Sequence, residues 1–345
     1  MNKNRNLINL QLMSPEMNTT NSSGMSAEMK TYYDMELLRN AKPNLVHDQF
    51  AQKRNIPKNG GKTIEFRKFG SLPKALTPLN EGVTPDGRLM DVTAITATVA
   101  QYGDYIKITD ILKLTTIDNV LVEAVTMLGD QAGKTMDTIT RDVMAAGTNV
   151  IYAGGRASRS NLTTSDKLTV ALIKKAATQL KRFDAPKING NYVGIVHPSV
   201  AFDLMNDSEF VDWHKYARPE ELYEGEIGKI AGVRFVESTE AKIWNDDTCP
   251  QASAAVPGEG TTPDVPATYY SVYGTIILGA NAYATTNVEG GGLQTIIKQL
   301  GAGDDPLNQR ATAGWKAIKT AKILNQFYMV RIESLSSFST DEAAN

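Results

Sequence analysis

The chain has 345 residues, 41% apolar and 21% charged, enough to bury two or three compact units and unlike the composition of a disordered or fibrous chain. A net charge of -2, with a pI near 6.0, lacks the basic surplus used to grip duplex phosphates, so any contact with nucleic acid is expected to be weak and non-specific. The single cysteine, Cys249, excludes an intrachain disulfide and a cysteine zinc site, and no apolar run reaches the roughly 18 residues of a membrane span.

Met1–Met17 holds no apolar stretch long enough for a signal peptide, so synthesis and folding in a cytoplasm are expected. Residues 1–61 read as a loosely packed N-terminal arm. Met13–Met29 is polar and aperiodic. A weak helix follows over Ala27–Asn40, with Met29, Tyr33 and Leu37 on one stripe, and Pro43, Pro57 and Gly60-Gly61 then interrupt the chain.

Residues 62–109 form the second unit. Lys62–Phe69 alternates as a strand, with Ile64 and Phe66 on one face. Gly70–Met90, with three prolines and almost no apolar period, is a long loop, and such loops generally have a task. The return strand, Val92–Thr109, changes parity between Ile95, Ala97 and Val99 on one side and Ile106 and Ile108 on the other. A bulge or bend near Gly103 would account for that change. A two-stranded ribbon is barely stable alone, so this one is expected to lean on another surface.

Residues 110–163 carry the clearest helix, from Thr116 to Met144 or Asn149. Ile117, Leu121, Val125, Leu128, Ala132, Met136, Ile139 and Val143 recur every three or four positions, while Asp118, Glu123, Asp130, Lys134, Asp137 and Arg141 occupy other faces. About thirty residues of helix would reach about 45 Å. Gly129 and Gly133 inside it suggest a close crossing or a bend.

Residues 164–285 read as a mixed α/β unit. Helices are expected over Asp166–Phe183, from His197-Pro198 to Leu204, and around Glu209–Tyr216 and Glu220–Tyr223. Strands are expected at Tyr192–Val196, Val233–Glu237 and Tyr269–Leu278. A Pro-rich insertion, residues 246–268, reads as an exposed loop. Residues 286–335 follow as return strands, at Leu293–Gln299, Trp315–Ile323 and Gln326–Ile332, separated by the Gly290–Gly292 turn and the Gly301–Pro306 loop. Residues 336–345 close the chain as a short frayed tail.

No local pattern carries chemistry. His47, His197 and His214 form no spaced metal pair, and His197, at a strand end, is read as a capping or packing residue. Asp246-Asp247 and Asp304-Asp305 lack the alternating oxygen ligands of a calcium loop and suit turns. Gly154-Gly155 follows a helix rather than a strand, and Gly290–Gly292 opens no phosphate-binding helix. Trp213, Trp244 and Trp315 are scattered, without the paired platforms of single-strand binding. The expectation is no catalytic residue, no metal site and no cofactor.

Three stretches resemble a known family. They are GKTIEFRKFGSLPKALTPLNEGVTPDGRLMDVTAITATVAQYGDYIKITD (Gly61–Asp110), GEIGKIAGVRFVES (Gly225–Ser238) and VYGTIILGANAYATTNVEGGGLQTIIKQLGAGDDPLNQRATAGWKAIKTAKILN (Val272–Asn325). The chain is similar to major capsid proteins of tailed bacteriophages with the Hong Kong 97-like fold, in the branch related to that of phage N-four. The resemblance implies an α+β fold with an N-terminal arm (1–61), an extended loop (62–109), a peripheral domain with a spine helix (110–163, returning at 286–335) and an axial domain (164–285). It also implies self-association into hexamers and pentamers of an icosahedral shell around double-stranded DNA, assembled in a bacterial cytoplasm. The arm would lie across a neighbour. Partners would be portal, scaffolding and decoration proteins, with weak contact to packaged DNA and none to membrane. An encapsulin-like compartment and a cytoplasmic α/β enzyme are the alternatives.

Overall fold

The computed structural model describes residues 35–41, 45–115 apart from 71, 80, 83 and 85, 120–210, 228–253, 268–300, and 305–345 apart from 306 and 341. One five-stranded sheet is built around β15 (Arg310–Ile323), which pairs antiparallel with three partners. β4 (Ala100–Thr109) runs along one edge of it, while β13 (Tyr283–Val288) and β14 (Gln294–Lys298) share the other. β1 (Gln52–Ile56) adds in parallel to β13.

Alternation along β15 turns Ala311, Ala313, Trp315 and Ala317 toward the long helix α2 (Val120–Ala145). The small alanines let the helix lie close, and Ala124, Val125, Leu128, Ala132 and Met136 fill the interface. Its 26 residues span about 39 Å, shorter than expected, and residues 116–119 lie outside those described. Val125, Leu128, Ala132 and Met136 of the predicted stripe are buried and Leu121, Ile139 and Val143 partly so, but Asp137 and Arg141, expected on other faces, are buried as well. At Gly129 the helical residues 35–41 cross α2. A Cβ there would stand 2.9 Å from the Leu37 carbonyl oxygen, so the expected close crossing is present.

The arm therefore needs correction. Residues 35–41 and 45–56 pack on their own chain, with Leu37, Ala41, His47 and Ile56 buried. Earlier residues of the arm, with most of its predicted helix, lie outside the described set.

The single return strand is in fact two. β3 (Val92–Thr98) pairs with β2 (Thr63–Phe69), and β4 leaves for β15. The parity break falls at Val99, whose N–H donates to the Lys62 carbonyl. Gly103 lies instead in regular register opposite Lys316, where a Cβ would come within 2.5 Å of the Trp315 carbonyl oxygen. That glycine permits close strand approach rather than a bulge. The short helix α1 (Asp110–Thr115) then turns the chain toward α2, with Asp110 in its first turn.

The seven-stranded sheet has the order β5 (Val150–Tyr152), β16 (Met329–Ser334), β12 (Val272–Leu278), β6 (Tyr192–Val196), β8 (Val233–Glu237) and β7 (Lys229–Ile230), with β9 (Ile243–Trp244) also on β12. β12 is buried at every position, as a strand covered on both faces should be. α3 (Val170–Arg182) and α4 (Pro198–Met205) contribute to the cluster on one face, and Met144, Ile195, Ile276 and Tyr283 pack on the other. α3 starts at Val170 rather than Asp166. Thr169 caps it by accepting from the Leu172 N–H, and Asp166 accepts instead from Thr163 and Arg156.

The block 286–335 splits between the two sheets: β14 and β15 belong to the first, β16 to the second. β5, expected with the long helix, also belongs to the second. The insertion 246–268 is pinched at its base by β10 (Gln251–Ser253) and β11 (Thr268–Tyr269), with Cys249 buried, so it is not simply an open loop. Residues 211–227, where two helices and His214 were placed, and residues 254–267 lie outside the described set.

The tail is docked, not frayed. Leu335 is buried, Ser337 donates to Asp203 from both its N–H and its hydroxyl, and Ser199 and Tyr273 donate to the Glu342 carboxylate. Burial lowers the His197 pKa against the pull of Glu342. Burial alone would raise that of Asp203, but the Ser337 hydrogen bonds hold it below the usual carboxylate value. Groups with lowered folded pKa values contribute stability above their unfolded pKa and lose it as pH falls through the folded one. Protection of amides 335–340 from hydrogen exchange should therefore fall as pH drops below about 6.5, and fall again in the carboxylate range near about 4. A tail equally protected at both pH values would contradict this.

Candidate assembly surface

The β2–β3 ribbon runs in register from Thr63 opposite Thr98 to Phe69 opposite Val92, and is closed by the Gly70 N–H on the Asp91 carbonyl. Its base is anchored. Ile64, Phe66, Ile95 and Ala97 pack on Ala284 and Leu324, and the Arg54 guanidinium lies over the Phe66 ring. Beyond the base, every described residue from Leu72 to Asp91 is exposed. Leu76 is 83% exposed, Leu79 76%, Leu89 95% and Met90 65%. Single apolar side chains at a surface need no explanation, but a run of them on a thin ribbon marks a contact. Pro73 and Pro78 stiffen the loop and reduce the ordering cost of docking.

The second surface is the face of the five-stranded sheet turned away from α2. A groove of roughly 580 Å³ there is lined by Gly103, Tyr105, Lys107, Ile296, Lys298 and Arg310, among others. Tyr105 and Ile296 are exposed apolar groups at its centre, and the Lys107 ammonium lies 5.6 Å from the Tyr105 ring centroid. Asp104 and Asp305 also line the groove, so its rim carries charges of both signs, drawn from segments far apart in sequence.

The candidates named from sequence scatter. His47 is buried against Asp137, with 2.6 Å between Nδ1 and Oδ2. His197 caps α4, its Nδ1 accepting from the Ser199 N–H. Asp246 accepts from the Thr248 N–H and hydroxyl, and Asp305 from the Arg310 N–H, both in turns. The missing Cβ of Gly154 leaves room for the Asp166 carboxylate, and Gly290, at positive φ, turns the chain before β14. Trp244 stacks beneath Arg159 and Arg331, and Trp315 donates to Gln131. His214, Trp213 and Asp304 lie outside the described residues. Among the described residues no group of three His, Cys, Asp or Glu side chains is placed to hold a metal, and no helix is long and apolar enough to cross a membrane.

Residues 14–301 match the family model for phage capsid protein. The chain belongs to that family. Its fold is similar to the capsid of Ralstonia phage GP4, at a TM-score of 0.64 and 13% identity, covering 96% of this chain and 98% of that one. It is also similar to the capsid of cyanophage P-SCSP1u (0.61, 15%, covering 84% and 87%) and to that of cyanophage Pam1 (0.58, 15%, covering 96% and 99%). No curated protein matches the sequence. The capsid protein thus has the Hong Kong 97-like α+β fold with peripheral and axial domains, and its role is structural rather than catalytic.

Proposed function

We propose that copies of this capsid protein associate into hexamers and pentamers, the extended loop of each copy lying on a neighbour's five-stranded sheet, and that these close an icosahedral shell around double-stranded DNA. The exposed apolar loop carries the reading. Leu76, Leu79 and Leu89 gain little on their own subunit, whereas the Tyr105–Ile296 groove offers an apolar floor of matching kind. The loop carries Lys74 and Arg88 beside Glu81 and Asp86, and the groove carries Asp104 and Asp305 beside Lys107, Lys298 and Arg310, so charges of both signs would set register more than strength.

In this assignment the five-stranded sheet and α2 are the peripheral domain, and the seven-stranded sheet with α3 and α4 is the axial domain. Assembly would take place in the host cytoplasm, with portal, scaffolding and decoration proteins as further partners and only weak contact with DNA. Electron microscopy of the purified chain should show closed shells, sheets or mixed hexamers and pentamers. A monomer at all concentrations would overturn the proposal.

A further inference from the structure

We propose that residues 45–56 form a clasped strap, held by a buried polar socket and able to lift off as one unit while the rest of the five-stranded sheet stays folded. The apolar hold of the strap is partial: Leu45, Val46, Phe50 and Ala51 are only partly buried against the two cores beneath them. β1 is an edge strand in which Lys53, Arg54 and Asn55 are exposed and only Ile56 is buried. Its buried polar ties come from three other elements.

The His47 N–H donates to Asp137 Oδ1 on α2 at 2.7 Å, its ring Nδ1 meets Asp137 Oδ2, and its carbonyl accepts from the Tyr283 hydroxyl on β13. Next along, Asp48 pairs with Lys319 Nζ on β15 at 2.9 Å, and Lys319 also donates to the Met136 carbonyl. His47 and Asp137 are 0% exposed and Lys319 is 2% exposed. The His47 Nε2 atom is buried without a partner, so the socket does not saturate the ring it holds.

Buried polar ties of this kind are all-or-none. Lifting His47 alone would leave the Asp137 carboxylate buried and uncompensated, as lifting Asp48 alone would leave Lys319. The stable states are therefore the closed clasp and one in which the whole strap is out and water has entered the socket. The sheet does not depend on the strap to the same degree, because α2 and β15 meet through their own apolar side chains. Lifting the strap would also bare the edge of β13 from Ala284 to Val288, a row of backbone groups able to pair with a strand of a second copy. The strap thus guards that edge while clasped. None of this rests on the shell reading.

Hydrogen exchange of the full chain under mildly denaturing conditions tests it. Amides 47–56 should exchange as one group, about tenfold or more faster than those of β4 and β15. Tyr283→Phe, which removes only the hydroxyl on the His47 carbonyl, and Asp137→Asn should each speed that group by about a further tenfold and leave β4 and β15 unchanged. Leu128→Ala, in the apolar core, should speed both groups. Exchange of 47–56 at the rate of β4 and β15 in the unmodified protein would overturn the proposal, as would equal acceleration everywhere in Tyr283→Phe or Asp137→Asn.

Discussion

Replacing Leu76, Leu79 and Leu89 together with aspartate should leave the subunit folded and stop shell assembly. All three side chains are exposed in the single chain, so the substitutions remove no internal packing. In the assembled state each would bury an apolar side chain worth about 1.5–3 kcal/mol. Even a third of that sum, lost at every loop contact and with an added charge to desolvate, shifts the concentration needed for assembly by about ten- to a hundredfold. Circular dichroism should be unchanged, while light scattering or sedimentation should find small species where the unmodified chain forms large ones. Normal shells at the original concentration would show that these leucines are not at the contact. The ribbon base gives a built-in contrast, because Phe66 and Ala97 are buried on the same chain. Truncating Phe66 acts on folding, not on assembly alone.

Glu333→Leu should be the most damaging single substitution in the seven-stranded sheet. The Glu333 carboxylate is fully buried in β16. It accepts from Arg159 Nε at 2.7 Å and from the second Arg159 nitrogen at 3.0 Å, and Arg331 Nε lies 2.8 Å from it. Both guanidiniums lie over the Trp244 ring, at 4.0 and 5.2 Å from its centroid. Leucine fills much of the volume but strands two largely buried cations beside each other. Removing one partner of a buried charge pair costs about 3–5 kcal/mol. Arg156→Ala offers the control: its ion pair with Asp166 is 40% exposed on the arginine side, and such pairs contribute about 1 kcal/mol or less. Thermal denaturation of the unassembled subunit should separate the two substitutions clearly. Equal midpoints would mean that solvent reaches the Glu333 cluster.

Sequence by itself determined the elements whose signal is periodic and local. The α2 stripe, the β6 and β8 runs and the ribbon with its proline-rich loop are legible because burial on one face forces apolar residues into a 3.6- or 2-residue period. The family was legible from the Gly61–Asp110 and Val272–Asn325 stretches, and the family match over residues 14–301 agrees with it.

Other features were decided only by tertiary structure, for one shared reason: they depend on partners distant in the chain. The parity change in Val92–Thr109 marks a break, but it does not say that β3 and β4 join different sheets, since that choice is made by β2 and β15. The polar tail looks frayed because Ser336, Ser337 and Glu342 find their partners at Ser199, Asp203 and Tyr273. His47 and Asp137 each look like solvent-facing residues, yet a hydrogen-bonded pair can be buried where either alone could not. The groove on the sheet is invisible in the sequence, because β4, β14 and β15 bring Tyr105, Ile296 and Arg310 together only when the strands align. Periodicity records which face of an element is buried, but not what covers it.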